Sequence, residues 1–392
     1  MITVVELQMQ GDKHIIVNSS MLRILMESYL EDQLILYCDL KHLSSLKLKI
    51  PKEVSCYKQI PFSYRDGESR LWKLPLKTIR ELSLALIIFI RALRNRTRII
   101  YFLSASPFTA PFLNILSNIF SQQIVVCVHG DIGVLTYKKN KWTTSVYRWI
   151  VKFFFKIRNP NYTVLLFYGD IIRYNFFNLF PNYPQKRTIA IDHPYDYNVL
   201  ATKKTLTTKP LVFACIGTAI MLKSSHLLFQ VAEMCRELVE EGKIRFIQVG
   251  NISEDVKSYA NQWVDLSYTN GSFMSFESYE NAIKEADYFL YFFEKGGYYD
   301  LCSSGTFFDA IKYKTPIISI DNTFFSHYFN RIGNIGYLCH NIDEIKRVIE
   351  QIAIRTKTHE YSEQIANLTK ASQLMSIEVI KGDFEKQIAE IF

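Results

Sequence analysis

The stretch CSSGTFFDAIKYKTPIIS, residues 302–319, decides the fold. Two serines, Gly305 and Thr306 stand ahead of a short helical pattern. The chain then turns at Thr315-Pro316 and enters the apolar pair Ile317-Ile318. Loop, helix, turn and buried strand in that order form one unit of a parallel α/β sheet. A loop of small residues opening a helix leaves backbone N–H groups free to hold an anion, so the stretch reads as a phosphate grip.

Outward from it the same order recurs. Apolar strand candidates fall at Ile2–Leu7, Leu34–Cys38, Arg98–Leu103, Ile124–Val128, Thr163–Tyr168, Pro210–Ile216, Arg245–Val249, Tyr288–Phe293 and Pro316–Ile320, with helical patterns between most of them. Both halves open alike: a strand, a turn at Gly11 or Gly217, then a helix near Ile15–Tyr29 or Ser224–Glu240. That alternation marks doubly wound parallel sheets. A chain of 392 residues exceeds what one core serves, so two domains are expected. The expected boundaries are 1–197, a polar linker at 198–209 (NVLATKKTLTTK), 210–375, and a C-terminal helix at 376–392 that can pack back on the first domain.

Seven scattered cysteines without a C-x-x-C pair read as reduced cytosolic thiols. The N-terminus has no basic segment followed by an apolar one, so nothing in it suggests export. The longest apolar run, Leu82–Ile90, is too short to span a bilayer and reads as a buried helix. Net charge is +8 but uneven: residues 1–200 carry 26 Lys and Arg against 14 Asp and Glu, and residues 201–392 carry 20 against 24. The basic half therefore faces an anionic partner. In TTSVYRWIVKFFFKIR, residues 143–158, Arg148, Lys152, Lys156 and Arg158 interleave with Trp149 and other aromatics, which favours an anionic membrane surface over nucleic acid. A core helix with a basic edge fits the same pattern.

These pieces together resemble the GT-B glycosyltransferases, particularly the nucleotide-sugar-dependent enzymes of bacterial capsule, O-antigen and lipopolysaccharide synthesis. The likeness is fair over residues 121–200, in IVVCVHGDIG, VLLFYGDIIRY and TIAIDHPYD, and best over 210–320. There FACIGTAIMLKSSHLL carries Gly217 and Lys223 at matching positions, while Thr218 replaces the family's Arg. In the donor loop Asp309 stands where the second of two Glu residues would hold the nucleotide ribose. Leu301 stands where the first would be, with Asp300 beside it, a departure from the retaining branch. The resemblance implies two Rossmann-like domains facing a cleft, with donor bound mainly to the second and acceptor to the first.

The residues also carry readings of their own. A diphosphate needs several N–H donors converging where side chains are absent, and Ser303, Ser304, Gly305 and Thr306 offer that. Thr306 to Asp309 also fits an ordinary capping box. Lys223 is placed to meet charge on a leaving diphosphate, or is a solvated lysine at a helix start; Lys295, in a Gly-Gly loop, is a second cation. His129 and Asp131 follow the strand at Ile124–Val128, where open α/β sheets place ligands. Asp131 suits a general base and His129 a contact to the sugar or one that orients the base, against the plainer readings of helix N-cap for Asp131 and turn histidine for His129. His193 reads as structural.

The function expected is a metal-independent hexosyltransferase. It would move sugar from a nucleotide-sugar to a lipid-linked or saccharide acceptor in surface polysaccharide synthesis, from the cytoplasmic side of the membrane. No metal or other cofactor is expected, because helix starts can neutralise the diphosphate and no ligand-spaced cluster appears. A nucleotide-sugar epimerase of the same fold and a membrane-associated scaffold without turnover are the alternatives. Sugar, base, acceptor, linkage, stereochemical outcome and oligomeric state are not encoded legibly.

Overall fold

The computed structural model describes residues 1–30, 32–49, 57–62, 70–106, 109–136, 142–157, 160–197, 210–269, 276–354 and 358–392. The expected linker at 198–209, Arg158, and the side chains of Asp131, Tyr147, Phe154 and Lys156 lie outside the described residues. The chain divides into two compact units: Met1–Asp196 with Leu301–Ser303 and Met375–Phe392, and Tyr197–Asp300 with Ser304–Leu374.

The first unit runs β1 (Ile2–Glu6), α1 (Ile15–Ser28), β2 (Leu34–Asp39), α2 (Leu40–Lys49), β3 (Tyr57–Phe62), α3 (Arg70–Arg94) and β4 (Ile99–Ser104). It continues α4 (Thr109–Phe120), β5 (Gln123–Val128), α5 (Trp142–Ile157), β6 (Thr163–Tyr168), α6 (Asp170–Leu179) and β7 (Thr188–Ile191). Its seven strands are all parallel, in the order β3-β2-β1-β4-β5-β6-β7. Strands covered on both faces read as continuous apolar runs, and β1, β2, β4 and β6 are buried at every position. Ile2 and Val4 face a core shared with α1 and α2. Helix α15 (Ile377–Ala389) closes that core through Ile377, Ile380, Phe384 and Ile388. Gln387 also pairs with β7, donating to the Ala190 carbonyl at 2.7 Å and accepting from its N–H at 3.0 Å.

The second unit runs β8 (Leu211–Ile216), α7 (Leu227–Met234), α8 (Arg236–Glu240), β9 (Ile244–Val249), α9 (Glu254–Lys257), β10 (Val264–Asp265), α10 (Phe276–Lys284) and β11 (Tyr288–Tyr291). It continues α11 (Gly305–Tyr313), β12 (Ile317–Ile320), α12 (Thr323–Ile332), β13 (Gly336–Cys339), α13 (Ile342–Ala353) and α14 (Thr358–Leu374). Its six parallel strands are ordered β10-β9-β8-β11-β12-β13. In each sheet the order reverses beside the first strand, between β1 and β4 and between β8 and β11, which is where doubly wound sheets bind ligands.

Three local expectations fail. The apolar run Leu82–Ile90 is only half buried within α3: Ala85, Ile88 and Phe89 face inward, while Leu86, Ile87 and Ile90 are exposed. The helix expected from Ser224 begins only at Leu227, because Ser224 adopts a left-handed conformation (φ 52°) that ends a short 3₁₀ turn over Met221–Lys223, and it breaks at Cys235 into α7 and α8. Thr306 is no N-cap, since α11 starts one residue earlier with Ser304 as its cap.

Candidate functional site

In the second unit, β8 delivers the chain to Gly217, which has φ +82°, a conformation that favours glycine. Its carbonyl accepts from the Gln248 side chain at 2.8 Å. A Cβ on Gly250 would lie 2.8 Å from that same carbonyl oxygen, so only glycine fits there as well. The loop then folds through the 3₁₀ turn that ends in Lys223 and brings its ammonium back toward Gly217. A Cβ on Gly217 would stand 3.4 Å from Lys223 Nζ and 3.0 Å from the Thr306 methyl. Burial raises the thiol of Cys215, on the same strand, to about 11, with the Lys223 charge working the other way.

Across the switch point, α11 opens beside this loop. The Ser304 hydroxyl makes no cap bond to the helix and pairs with the Thr306 hydroxyl at 3.0 Å. Among the described residues the N–H groups of Gly305 and Thr306 have no acceptor, and no atom lies within 4 Å of where a Gly305 Cβ would be. The Thr306 carbonyl accepts from the buried Tyr291 hydroxyl at 2.7 Å, which fixes the first turn. The Lys223 ammonium and the first turn of α11, with two open N–H groups and about half a positive charge at its N-terminus, thus meet around Gly217, and together they offer the chemistry an oxyanion requires. Asp309, one turn on, is buried and accepts from the Tyr279 hydroxyl at 3.0 Å; burial, followed by the Asp309 charge, pushes Tyr279 well above its usual range. Thr218 and Lys295 are exposed. Ser303 belongs with the first unit, where its hydroxyl donates to the Tyr168 carbonyl. Leu301 is buried.

In the first unit, the carboxyl ends of the strands gather a polar cluster. Glu6 ends β1 fully buried and accepts from the Gln8 and Met9 N–H groups, the Asn18 amide and the Ser104 hydroxyl. His129 follows β5, and its Nε2 faces the Leu103 carbonyl at 2.7 Å. A carbonyl only accepts, so Nε2 carries the proton and Nδ1 is the acceptor. Burial, then the neighbouring His14, holds His129 down to about 3, so it is neutral near pH 7. Its ring meets His14 edge-on at 5.2 Å and Tyr168 at 5.1 Å, and Tyr168 meets His193 at 5.4 Å. His193 is held to about 3 by the same causes, burial first and then His129 and His14. His14 caps α1 in a left-handed conformation (φ 56°). Asp131 lies in the 3₁₀ helix Gly130–Leu135, whose N-cap is His129.

No family model and no curated protein matches the chain. Solved structures do. Anabaena HepE in complex with UDP and glucose superposes over 99% of both chains with a TM-score of 0.64 at 13% identity. WaaG, a glycosyltransferase involved in lipopolysaccharide biosynthesis, covers 98% of this chain and 99% of its own with a TM-score of 0.62 at 11% identity. The chain has the GT-B fold. A UDP-N-acetylglucosamine 2-epimerase shares it more loosely, with a TM-score of 0.55 at 11% identity over 99% of this chain and 95% of that one.

On this GT-B chain the basic aromatic segment forms α5, with two faces. Val151 is buried, and the Phe155 ring packs at 5.1 Å against both Phe176 and Phe180. Outward, Trp149 stacks on Phe153 at 5.4 Å, Lys152 is exposed and Arg148 is partly exposed. Sequence reasoning missed Glu6, His14, Asn18 and the grouping of His193 with His129. The signal within reach was a carboxylate and a histidine closing the first strand and opening the first helix of a doubly wound unit.

Proposed function

We propose that the protein is a metal-independent glycosyltransferase that moves a hexosyl group from a nucleoside diphosphate sugar to a lipid-linked or saccharide acceptor. The observation that carries this reading is the convergence of Gly217, Lys223 and the open N-terminus of α11 in a GT-B second unit. Lys223 and the helix start would meet charge gained by the diphosphate as the glycosidic bond breaks, and Asp309 would hold the ribose. The HepE structures hold UDP, glucose or UDP-glucose, which makes uridine the base to test first. Asp131 would take the proton of the attacking acceptor hydroxyl in an inverting displacement, with the neutral His129 orienting it through Nδ1. Work on surface polysaccharide at the inner face of the cytoplasmic membrane, with Arg148, Trp149, Lys152 and Lys156 toward the lipid, fits the exposed aromatic and basic face of α5.

Gly305→Val tests the placement. Open space surrounds Gly305, so the fold should survive while the branched side chain fills the grip. Nucleoside diphosphate affinity, measured by calorimetry over a panel of bases, should fall tenfold or more, on the order of 1.4 kcal/mol. Unchanged affinity in the folded variant would sink it. Turnover of nucleotide-sugar without acceptor separates the alternatives: an epimerised sugar indicates the epimerase, and no chemistry with any acceptor indicates a scaffold.

A further inference from the structure

Helices α3, α4 and α5 cover one face of the first sheet, opposite α1, α2 and α15. Phe89 of α3 stacks on Phe102 of β4 at 6.1 Å and meets Phe120 of α4 at 6.3 Å. A cavity lined by Ala110, Asn114, Val126, Phe155 and Leu165 ties α4 to α5 over β5 and β6. The outer surface of this layer is apolar. Leu76, Ile79, Leu86, Ile87, Ile90 and Leu93 form one stripe of α3, 37–61% exposed. Ile115 and Ile119 of α4 are exposed as well, at 42% and 67%, and so are Trp149 and Phe153 of α5.

Its charge has one sign. Within α3, α4 and α5 the sequence holds nine Lys and Arg against one acidic residue, Glu81. Glu81 is fully buried and accepts from the Thr109 hydroxyl at 2.8 Å. Arg91, Arg94 and Lys152 are exposed beside the apolar side chains.

We propose that the outer face of α3, α4 and α5 together is a docking surface for an anionic lipid bilayer. The proposal extends the membrane reading of α5 to a three-helix platform. A second copy of this chain would set one cationic face against another, which repels. A nucleic acid presents phosphates to the arginines but no apolar phase for the aliphatic stripe of α3. An anionic bilayer supplies both, with apolar side chains seated at the acyl boundary and arginines among the headgroups. Among the described residues no helix is long and apolar enough to cross a membrane, so α3 lies on the bilayer.

The test is flotation of the full chain with vesicles of phosphatidylcholine alone and of a phosphatidylcholine–phosphatidylglycerol mixture. The wild type should float only with the mixture. Arg91→Glu with Arg94→Glu, and separately Ile87→Ser with Ile90→Ser, should each lower the bound fraction about tenfold or more, with circular dichroism confirming the fold. These positions are exposed, and nucleotide affinity read in the same samples should stay at the wild-type value. Wild type that ignores the mixed vesicles overturns the proposal. So do α3 variants that float normally while Arg148→Glu with Lys152→Glu does not, a wild-type dimer that the serine variant splits, or retention on RNA in place of vesicles. Absence of nucleotide binding in the wild type would count against the glycosyltransferase reading and leave the vesicle result standing.

Discussion

A Cβ on Gly217 would come within 3.0 Å of the Thr306 methyl, so the loop after β8 and the start of α11 share a space that only a glycine leaves open. The left-handed φ of +82° adds a backbone cost to any other residue. Gly217→Ala should therefore lose about 1–2 kcal/mol of stability. It should also displace Thr306 or Lys223 and lower nucleotide affinity about tenfold. Urea denaturation and calorimetry on the same preparation read the two effects separately. Full affinity in the alanine variant would place the nucleotide elsewhere.

The histidines of the first unit make stability depend on pH with a defined sign. His129 and His193 are both held to about 3 by burial, against an unfolded value of 6.5. Between those values the unfolded chain binds protons that the folded one refuses, so stability falls as pH drops below 6.5 and levels off near 3. Each histidine contributes on the order of a few kcal/mol across that window. The urea midpoint should drop clearly from pH 7 to pH 5. His129→Gln, which keeps a donor for the Leu103 carbonyl, should flatten the slope. A midpoint that holds steady over this range would show that the cluster takes up protons without opening.

How far the sequence carries depends on what kind of signal a segment leaves. Strands buried on both faces, such as β1, β2, β4 and β8, are plain apolar runs and are legible at once. The edge strand β3, YKQIPF, mixes polar residues into its run, β10 has only two residues, and β13, GYLC, opens on a glycine and is only partly buried, so all three escape notice. Gly217 and Lys223 are found because their spacing is local. Their meeting with Thr306 is not visible, because a sheet switch point creates it. The histidine cluster stays hidden for the same reason: His14, His129 and His193 come from loops after three different strands. The run Leu82–Ile90 shows the opposite limit, since hydrophobicity alone cannot say which side of a helix has a neighbour.

Asp131 lies in the 3₁₀ helix directly after β5. A displacement at the anomeric carbon needs a base for the acceptor hydroxyl, worth typically about 10² to 10⁴ in rate. His129 is a poor candidate for that base, because burial holds it to about 3 and its Nε2 proton is committed to the Leu103 carbonyl. An imidazole that weak takes up little of a hydroxyl's proton, which leaves the neighbouring carboxylate. Asp131→Asn keeps the shape and removes the basicity, so turnover should fall by that factor. With the nucleotide held by the second unit, as proposed, its affinity should stay near the wild-type value. His129→Gln should lower turnover less, since it disturbs orientation alone. Near-normal turnover in Asp131→Asn would reject the assignment, and a product retaining the donor's anomeric configuration would reject the inverting displacement with it.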